Sequence, residues 1–577
     1  MKNLVNQKGL LFCILGVIGY LFIFTIYTFP FITHLSTHTI GSGDANIFYF
    51  NAHNFAFQIE QGKSVFWTDL LFQPDGSSLI MHTHTTSLSF FAWLTGNTVL
   101  GMNLFIIINY LLSGLGGLLL SKKFIKNYGY CFIIGVLFAF SSYKMSRLEE
   151  HHNLILTGFV PFVLLFYFKF RNRYSLSSGL GLISCLIITL FSDYILTITC
   201  LLFVSIHLIW SIIHAPVIRL LKKHPWKSIG GISVIIIVLH NVTVALRAIH
   251  INDNSGLWWS GDLSSFFVPF HNLIFSGWSV IPWHKEVIGG QYGLESTMFL
   301  GYTLIVLLIV SVLFRKKSTN FSEKQKPFAV SYSSLLLPLI ILFLLALPQI
   351  KLLNYRLLYS PTAIFHFIPL INNHRCPTRI IHLIYLLLGI ITFYNLENGK
   401  LANHLKKPIV TGLIGLLIFI EGVPLPFEFQ NRSTSSPLYS ELKNKPFGNA
   451  LILPLGIVDG YEPIGEFDIN QLGNIPYHHK ATFGGHLSRI NEALKEKQLT
   501  STFLKQVIQL ELGELSEKEC VIVQDQFLPQ VDYVVIPSSY ISSDVTQYLV
   551  RQFETKISEK RTFSTGELWI ISNEVVR

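Results

Sequence analysis

Long apolar runs recur through the first three quarters of this 577-residue chain, and they restrict its possible folds more than any other feature. Each run is about 17 to 25 residues long, the length at which an α-helix crosses the hydrocarbon core of a bilayer. Hydrophobic residues make up 50% of the chain and charged residues only 13%, so a soluble protein of this composition could not cover its helices with polar surface. The sequence therefore predicts an α-helical polytopic membrane protein.

Basic residues between the apolar runs predict the topology, because Lys and Arg in short loops stay on the cytoplasmic side. The first run follows Lys2 and Lys8 and has no small-residue cleavage site after it, which predicts an uncleaved signal anchor with a cytoplasmic N-terminus. The second run is too long for one straight span and predicts an additional re-entrant or interfacial helix. About eleven spans result, roughly at 10–32, 88–120, 129–145, 153–168, 175–192, 194–213, 229–249, 296–314, 331–350, 380–396 and 408–425.

The composition changes abruptly after Pro424. Strand-like runs such as "ALILPLGIV", "DYVVIP" and "ELWIIS" alternate with helical stretches near 487–515. We therefore predict a transmembrane domain at 1–425 and a soluble α/β domain at 426–577. An odd number of spans places the C-terminal domain outside the cytoplasm, on a multi-pass protein of the cytoplasmic (inner) membrane.

The first outer loop, 33–87, is unusually long and contains the first acidic residue of the chain, Asp44. Glycines precede Asp44, and the aromatic-rich stretch 45–59 predicts an amphipathic helix lying on the membrane surface. Two histidines, His82 and His84, return at the start of the second span. Asp44 is a candidate for chemistry on the outer face, and the alternative is that it only caps the surface helix.

A second polar cluster follows the third span, within "SSYKMSRLEEHHNLI". It contains Arg147, Glu149, Glu150, His151 and His152. Ionisable groups at membrane depth are costly and usually face the protein interior or a wet cavity, so such a cluster indicates a functional site. Carboxylates and imidazoles are also suitable metal ligands. The alternative, a helix N-terminus that favours acids, leaves the paired histidines unexplained.

Three further places at outer span ends are candidates. Asp193 lies in a tight turn between two spans, and Glu295 opens the eighth span. The stretch "NNHRCPTRI" brings His374, Arg375 and Arg379 to the end of the tenth span. The two arginines can bind phosphate oxygens in a bidentate manner.

Several function classes lack sequence support. The six cysteines show no zinc-ligand spacing, and there is no glycine-rich phosphate loop. The net charge of +10 is explained by the cytoplasmic loops, so it does not indicate a nucleic-acid partner.

The order of these features resembles the GT-C superfamily of integral-membrane glycosyltransferases, specifically a bacterial branch related to it. The resemblance covers nearly the whole chain and rests on these motifs: "GDANIFYFNAHNFAFQIEQG", "FAFSSYKMSRLEEHHNLI", "DLSSFFVPFHNLIFSG", "ESTMFLGY", "HRCPTRI" and "LPLGIVDG".

The resemblance implies an inverting transferase that uses a polyprenyl-phosphate-linked sugar donor and a glycan, lipid or protein acceptor at the cell envelope. Asp44 would be the general base or a metal ligand, and Arg147, Arg375 and Arg379 would bind the substrate phosphate. A divalent metal, Mg or Mn, would be held by Glu149, Glu150, His151 and His152. Further candidates for the site are His82, His84, Asp193, Glu295 and His374.

Two rival functions fit part of the pattern. A transporter or flippase for lipid-linked glycans would also carry ionisable groups in its spans, although more often near the midplane. A non-catalytic assembly protein for envelope polymers would tolerate loss of Asp44 and Glu149.

Overall fold

A computed structural model describes most of the chain. The described residues are 2–80, 82–214, 259–275, 295, 297–316, 332–367, 376–460, 462–524 and 526–572. In chain order, the α-helices within these ranges are α1 (Lys2–Tyr27), α2 (Ala45–Glu60), α3 (Thr86–Leu94), α4 (Thr98–Ser121), α5 (Tyr128–Ala139), α6 (Ser142–Arg147), α7 (His152–Ile155), α8 (Val160–Arg173), α9 (Leu176–Ser192), α10 (Tyr194–His214), α11 (Tyr302–Leu313), α12 (Leu336–Ala346), α13 (Ile381–Asn398), α14 (Ala402–Leu405), α15 (Pro408–Glu421), α16 (Pro437–Lys443), α17 (Asn470–His478), α18 (Glu492–Thr500), α19 (Thr502–Glu511) and α20 (Asp544–Phe553).

The strands within the same ranges are short. They are β1 (His38–Ile40), β2 (Trp67–Thr68), β3 (Ser77–Ser78), β4 (Gln349–Leu352), β5 (Tyr355–Tyr359), β6 (Phe429–Asn431), β7 (Asn449–Ile452), β8 (Ile457–Asp459), β9 (Glu462–Ile464), β10 (Ala481–Thr482), β11 (Gly485–Leu487), β12 (Tyr533–Pro537), β13 (Ile557–Phe563) and β14 (Gly566–Ile571).

The apolar helices are those of a membrane protein. Six in the described ranges are long and apolar enough to cross a bilayer, at Gly9–Tyr27, Thr98–Ser121, Tyr128–Arg147, His152–Arg173, Tyr194–Ser211 and Pro377–Asn398. Four shorter apolar helices lie at Leu176–Ser192, Tyr302–Leu313, Leu336–Ala346 and Pro408–Glu421. The predicted span 229–249 lies outside the described residues, so the total of about eleven stays a prediction. The over-long second span is two helices, α3 and α4, because the chain turns between them.

The chain forms two compact units. The helical unit contains Met1–Phe29, Ile107–Leu148 and Leu154–Phe427, and the mixed unit contains Pro30–Ile106, Glu149–Asn153 and Glu428–Arg577. By packing, the first outer loop therefore belongs with the C-terminal region, whereas the sequence assigns it to the transmembrane domain. The physical reason is a hydrophobic core that the two segments share.

The helical unit is built around α13, which packs against α5, α11 and α12. Nearly every side chain of α13 is buried, including His382 and Glu397. A helix that is apolar on all sides lies inside its bundle, and this sequence has that pattern.

The mixed unit has a five-stranded sheet in the order β10, β7, β12, β14, β13. The strand β7 pairs in parallel with β10 and β12, and β14 pairs antiparallel with β12 and β13. Trp569 and Val534 of the sheet share one core with Phe503 of α19 and Tyr548 of α20. These strands and the helices α18 and α19 confirm the α/β character predicted for this region.

The first outer loop completes a second core of the mixed unit. Phe50 and Leu71 from the loop are buried together with Leu472, Ile475 and Leu487 from the C-terminal region. The helix predicted at 45–59 forms as α2, but its apolar side chains pack against protein and not lipid. The prediction of a surface helix is wrong because α2 contacts both α3 and α17.

The pKa of Glu511, the last residue of α19, predicts how the stability of the mixed unit depends on pH. Its carboxyl group accepts a hydrogen bond from the Leu455 N–H at 2.8 Å, and burial raises its pKa from 4.5 to about 9. Between these values the folded protein holds a proton that the unfolded chain releases, so stability falls as pH rises from about 5 to 9. We expect Glu511→Gln to remove this dependence and to make the unit more stable than the wild type at pH 8.

The measurement is hydrogen exchange of the β12 amides at pH values from 5 to 9, corrected for intrinsic exchange. Glu514→Gln, at an exposed position three residues further on, is the matched control and should keep the wild-type slope. Parallel slopes in the wild type and Glu511→Gln would contradict the prediction.

Candidate functional site

The turn that carries Asp44 is fixed by strand pairing inside the mixed unit. The strand β1 pairs antiparallel with β6, and Ile40 lies opposite Phe429. The Gly41 N–H then donates to the Glu428 carbonyl oxygen at 2.8 Å, and the Ser42 hydroxyl donates to the Glu428 carboxylate at 2.8 Å. The start of α2 is thus held by a segment from the other end of the chain.

Arg432 fixes the first turn of α2. Its guanidinium donates to Asn46 Oδ1 at 2.7 Å and to Thr39 Oγ1 at 2.9 Å, and it lies 4.7 Å from the centre of the Tyr49 ring. Asn46 in turn donates to Asn470 Oδ1 at 3.2 Å. These contacts define the direction in which α2 leaves the Asp44 turn.

The short segment Glu149–Asn153 rests directly on this turn. A Cβ atom on Gly41 would lie only 1.7 Å from the Glu149 carbonyl oxygen, and Gly41 has φ +86°. Only glycine permits both the backbone conformation and the close approach. The His152 ring stacks on Phe48 of α2, with ring centres 5.4 Å apart.

Gly41→Ala should separate the turn from the segment. The left-handed conformation and the clash together are expected to cost about 2–3 kcal/mol. Gly43→Ala is the matched control, because Gly43 also has a positive φ, +56°, but has open space around its Cβ position. We expect hydrogen exchange of residues 149–153 to rise in Gly41→Ala only; equal exchange in both variants would contradict the close approach.

Asp44 and His151, found separately in the sequence, lie together in the structure. Asp44 Oδ2 is 3.7 Å from His151 Nε2, and His151 Nδ1 is 3.8 Å from Glu150 Oε2. The Asp44 side chain is 41% exposed, whereas that of His151 is 18% exposed. Asp44 stands at the N-cap position of α2, yet its side chain makes no capping hydrogen bond. The capping alternative therefore does not account for the position of this carboxylate.

Glu149 and His152, the other two members of the predicted metal set, have contacts of their own. The Glu149 carboxylate accepts a hydrogen bond from the Glu428 backbone N–H, and burial together with the charges of Glu150 and Glu428 raises its pKa. His152 stacks on Phe48. Among the described residues, no group of three or more His, Cys, Asp or Glu side chains is arranged to hold a metal ion. As arranged here, the four residues do not form one ligand set, and the metal site stays a prediction.

His82 and His84 occupy buried positions in the mixed unit. His82 Nε2 lies 3.1 Å from Asn51 Oδ1 of α2, and its Nδ1 accepts the Ser488 N–H at 3.0 Å. Burial lowers the pKa of His82 well below its usual value and that of His84 to about 4. A neutral His82 that donates to Asn51 and accepts from Ser488 connects the loop to the C-terminal region, which is a structural contribution.

In the helical unit, two of the predicted phosphate-binding arginines converge on Glu295. Arg379 Nη2 donates to Glu295 Oε1 at 2.6 Å, and Arg147 Nη2 donates to Glu295 Oε2 at 3.3 Å. Arg379 belongs to the 3-10 turn Pro377–Ile380 that leads into α13. The side chains of the trio Arg147, Glu295 and Arg379 are 0%, 7% and 15% exposed.

The remaining residues that the sequence analysis selected are Asp193, His374 and Arg375. Asp193 is the N-cap of α10, where its Oδ1 accepts the Ile195 and Leu196 N–H groups at 2.7 and 3.2 Å. His374 and Arg375 lie outside the described residues. Lys144, which the sequence pattern did not single out, is a buried lysine whose Nζ donates to Ser113 Oγ at 2.8 Å. Its signal was a lysine inside an otherwise apolar span.

Comparison with solved structures shows a distant likeness to archaeal oligosaccharyltransferases. One is the Archaeoglobus fulgidus enzyme in complex with Zn and sulfate, at 10% identity and a TM-score of 0.42, with 97% of this chain and 73% of that chain covered. Another is AglB from Archaeoglobus fulgidus in complex with an inhibitory peptide and a dolichol-phosphate, also at 10% identity and 0.42, with 98% and 75% covered.

Family assignment rests on sequence. No protein of curated function matches the chain. The family described as "Domain of unknown function (DUF6311)" matches residues 16–418, which is more than half of the chain. The chain therefore belongs to the DUF6311 family.

Proposed function

We propose that this protein is a membrane glycosyltransferase of the GT-C type. It transfers a sugar from a polyprenyl-phosphate-linked donor to a cell-envelope acceptor on the outer face of the cytoplasmic membrane, with inversion at the anomeric carbon. Asp44 is the general base, and a metal ligand role is the alternative for the same carboxylate.

The observation that carries this proposal is the position and the exposure of the Asp44 carboxylate. A carboxylate that stands at a helix start without capping it, and that remains 41% exposed, is accessible to a substrate hydroxyl. The imidazole of His151 lies 3.7 Å away and can orient the carboxylate. General base catalysis needs a carboxylate within hydrogen-bond reach of the proton it removes.

The proposed reaction is a single displacement. The acceptor oxygen attacks the anomeric carbon while Asp44 takes the hydroxyl proton, and the bond from that carbon to the phosphate oxygen breaks. The electron pair of the broken bond leaves with the polyprenyl phosphate, which gains negative charge in the transition state. Cationic groups stabilise such developing charge, and Arg147, Arg375 and Arg379 are the proposed residues for this role.

The position of Arg147 and Arg379 supports this role, because both guanidinium groups converge on Glu295 in the helical unit. Guanidinium groups bind phosphate oxygens through charge-assisted hydrogen bonds. No step of the proposed reaction depends on a metal ion.

The test uses the full chain in liposomes with a panel of polyprenyl-linked sugars and envelope acceptors. We expect polyprenyl phosphate to appear only when an acceptor is present, in equal amount to the glycosylated product, with inverted anomeric configuration. Retained activity with a chelator would support the general base role, and lost activity would support the metal ligand role.

Two outcomes would contradict the proposal. Movement of intact lipid-linked sugar across the bilayer without cleavage would indicate a flippase. Neither cleavage nor movement, in protein that remains folded and binds the donor lipid, would indicate an assembly protein.

A further inference from the structure

A groove of about 850 Å³ lies in the helical unit where α1, α5 and α15 meet. Gly19, Gly412 and Gly415 are among the residues that line it. A Cβ atom on Gly412 would meet no other atom within 4 Å. The walls are otherwise mostly apolar side chains, including Phe22 and Phe132.

The three helices run in the same direction along the groove. The rings of Phe12 in α1 and Tyr128 in α5 lie 4.6 Å apart. Further along both helices, the rings of Tyr20 and Phe132 lie 4.9 Å apart, so α1 and α5 run in the same direction. A Cβ atom on Gly129 would lie 2.7 Å from Thr411, at the start of α15. The N-terminal ends of α5 and α15 therefore lie at one end of the groove, where helix dipoles favour negative charge.

Two lysines line the same end of the groove. Lys126 precedes α5 and Lys406 precedes α15, and both side chains are exposed. Within the described part of the chain, neither makes an ion pair with a carboxylate. The neighbouring Glu397 carboxylate accepts the backbone N–H groups of Lys126 and Asn127, the latter at 2.7 Å. This end of the groove is therefore apolar in its depth, and at its mouth the two lysines outnumber the one Glu397 carboxylate.

We propose that the groove binds one anionic diacyl phospholipid of the surrounding bilayer. Its acyl chains lie along Gly412 and Gly415, and its phosphate lies between Lys126 and Lys406. Basic residues at the ends of spans are expected on the cytoplasmic side, where anionic lipids attract them. The occupant is thus a phospholipid of the cytoplasmic leaflet, and the inference is independent of the proposed transferase activity.

The test is native mass spectrometry of the full chain in detergent, titrated with phosphatidylglycerol or with phosphatidylcholine of the same acyl chains. The wild type should bind phosphatidylglycerol more tightly. In Lys126→Gln/Lys406→Gln this preference should fall about 25-fold, because each basic residue near an anionic lipid contributes about fivefold. Binding of phosphatidylcholine should stay unchanged in that variant.

A second pair of variants tests the groove itself. Gly412→Phe fills open space and should abolish binding of both lipids without lowering the unfolding temperature. Leu413→Phe, at an exposed position next to it on α15 that does not line the groove, is the matched control and should bind both lipids like the wild type.

Three results would overturn the inference. The first is an unchanged phosphatidylglycerol preference in the double lysine variant. The second is retained lipid in Gly412→Phe. The third is displacement of phosphatidylglycerol by an equal concentration of polyprenyl phosphate, which would assign the groove to a different lipid.

Discussion

Replacing Asp44 with Asn should slow sugar transfer by about 100- to 10,000-fold, the usual contribution of a general base. The amide keeps the size of the carboxylate but cannot take a proton from the acceptor. Binding of the donor lipid should stay close to that of the wild type, so the loss should appear in kcat and not in KM. The measurement is initial-rate release of polyprenyl phosphate across a range of pH.

Asp75→Asn is the matched control for this variant. Asp75 lies in the same outer loop and pairs with Lys497 at 2.5 Å in a partly exposed ion pair. Such pairs contribute only about 0–1 kcal/mol, so the control should transfer sugar at nearly the wild-type rate. An Asp44→Asn protein that matches Asp75→Asn in rate would remove Asp44 from the chemistry.

Glu295→Leu should destabilise the helical unit by about 3–5 kcal/mol, because two buried guanidinium groups then lose their shared carboxylate. Arg147 and Arg379 both donate to Glu295, and all three side chains are largely buried. The measurement is the free energy of unfolding of the wild type and the variant in the same detergent micelle, monitored by hydrogen exchange of the α13 amides.

A compensating variant separates charge from packing. In Arg147→Met/Glu295→Leu/Arg379→Met all three charges of the trio are removed together, and most of the lost stability should return. Glu295→Gln should fall between the wild type and Glu295→Leu, because an amide oxygen still accepts hydrogen bonds. If Glu295→Leu unfolds like the wild type, the trio is not an interior ion cluster.

Sequence reasoning was most successful where one local pattern decides the structure. Apolar runs located the long helices, and the strand-like runs "DYVVIP" and "ELWIIS" located β12 and β14. It also selected Asp44 and His151 as separate candidates. It could not show that they lie 3.7 Å apart, because that distance depends on the pairing of β1 with β6 far along the chain.

The environment of α2 shows why the tertiary contacts around the candidate site could not be predicted from the sequence. Its aromatic residues suggested a helix half immersed in lipid, but its polar residues are buried as well. Asn51 donates to the Thr83 carbonyl oxygen at 3.0 Å, and Asn54 donates to the Trp67 carbonyl oxygen at 2.9 Å. The sequence does not distinguish an Asn whose amide is buried and hydrogen-bonded from an Asn whose amide is exposed, because the difference lies only in tertiary contacts.

The pairing of β1 with β6 also sets an order of events during synthesis. Thr39 and Arg432, which share a hydrogen bond across these strands, are 393 residues apart. At typical rates of translation the earlier segment waits about 20–80 s for its partner to leave the ribosome. During that time the amides of α2 and the edge of β1 lack part of their final neighbours. A premature stop after α15 ends at Glu421 and before β6 begins at Phe429 would keep α15 but leave the Asp44 turn without its support.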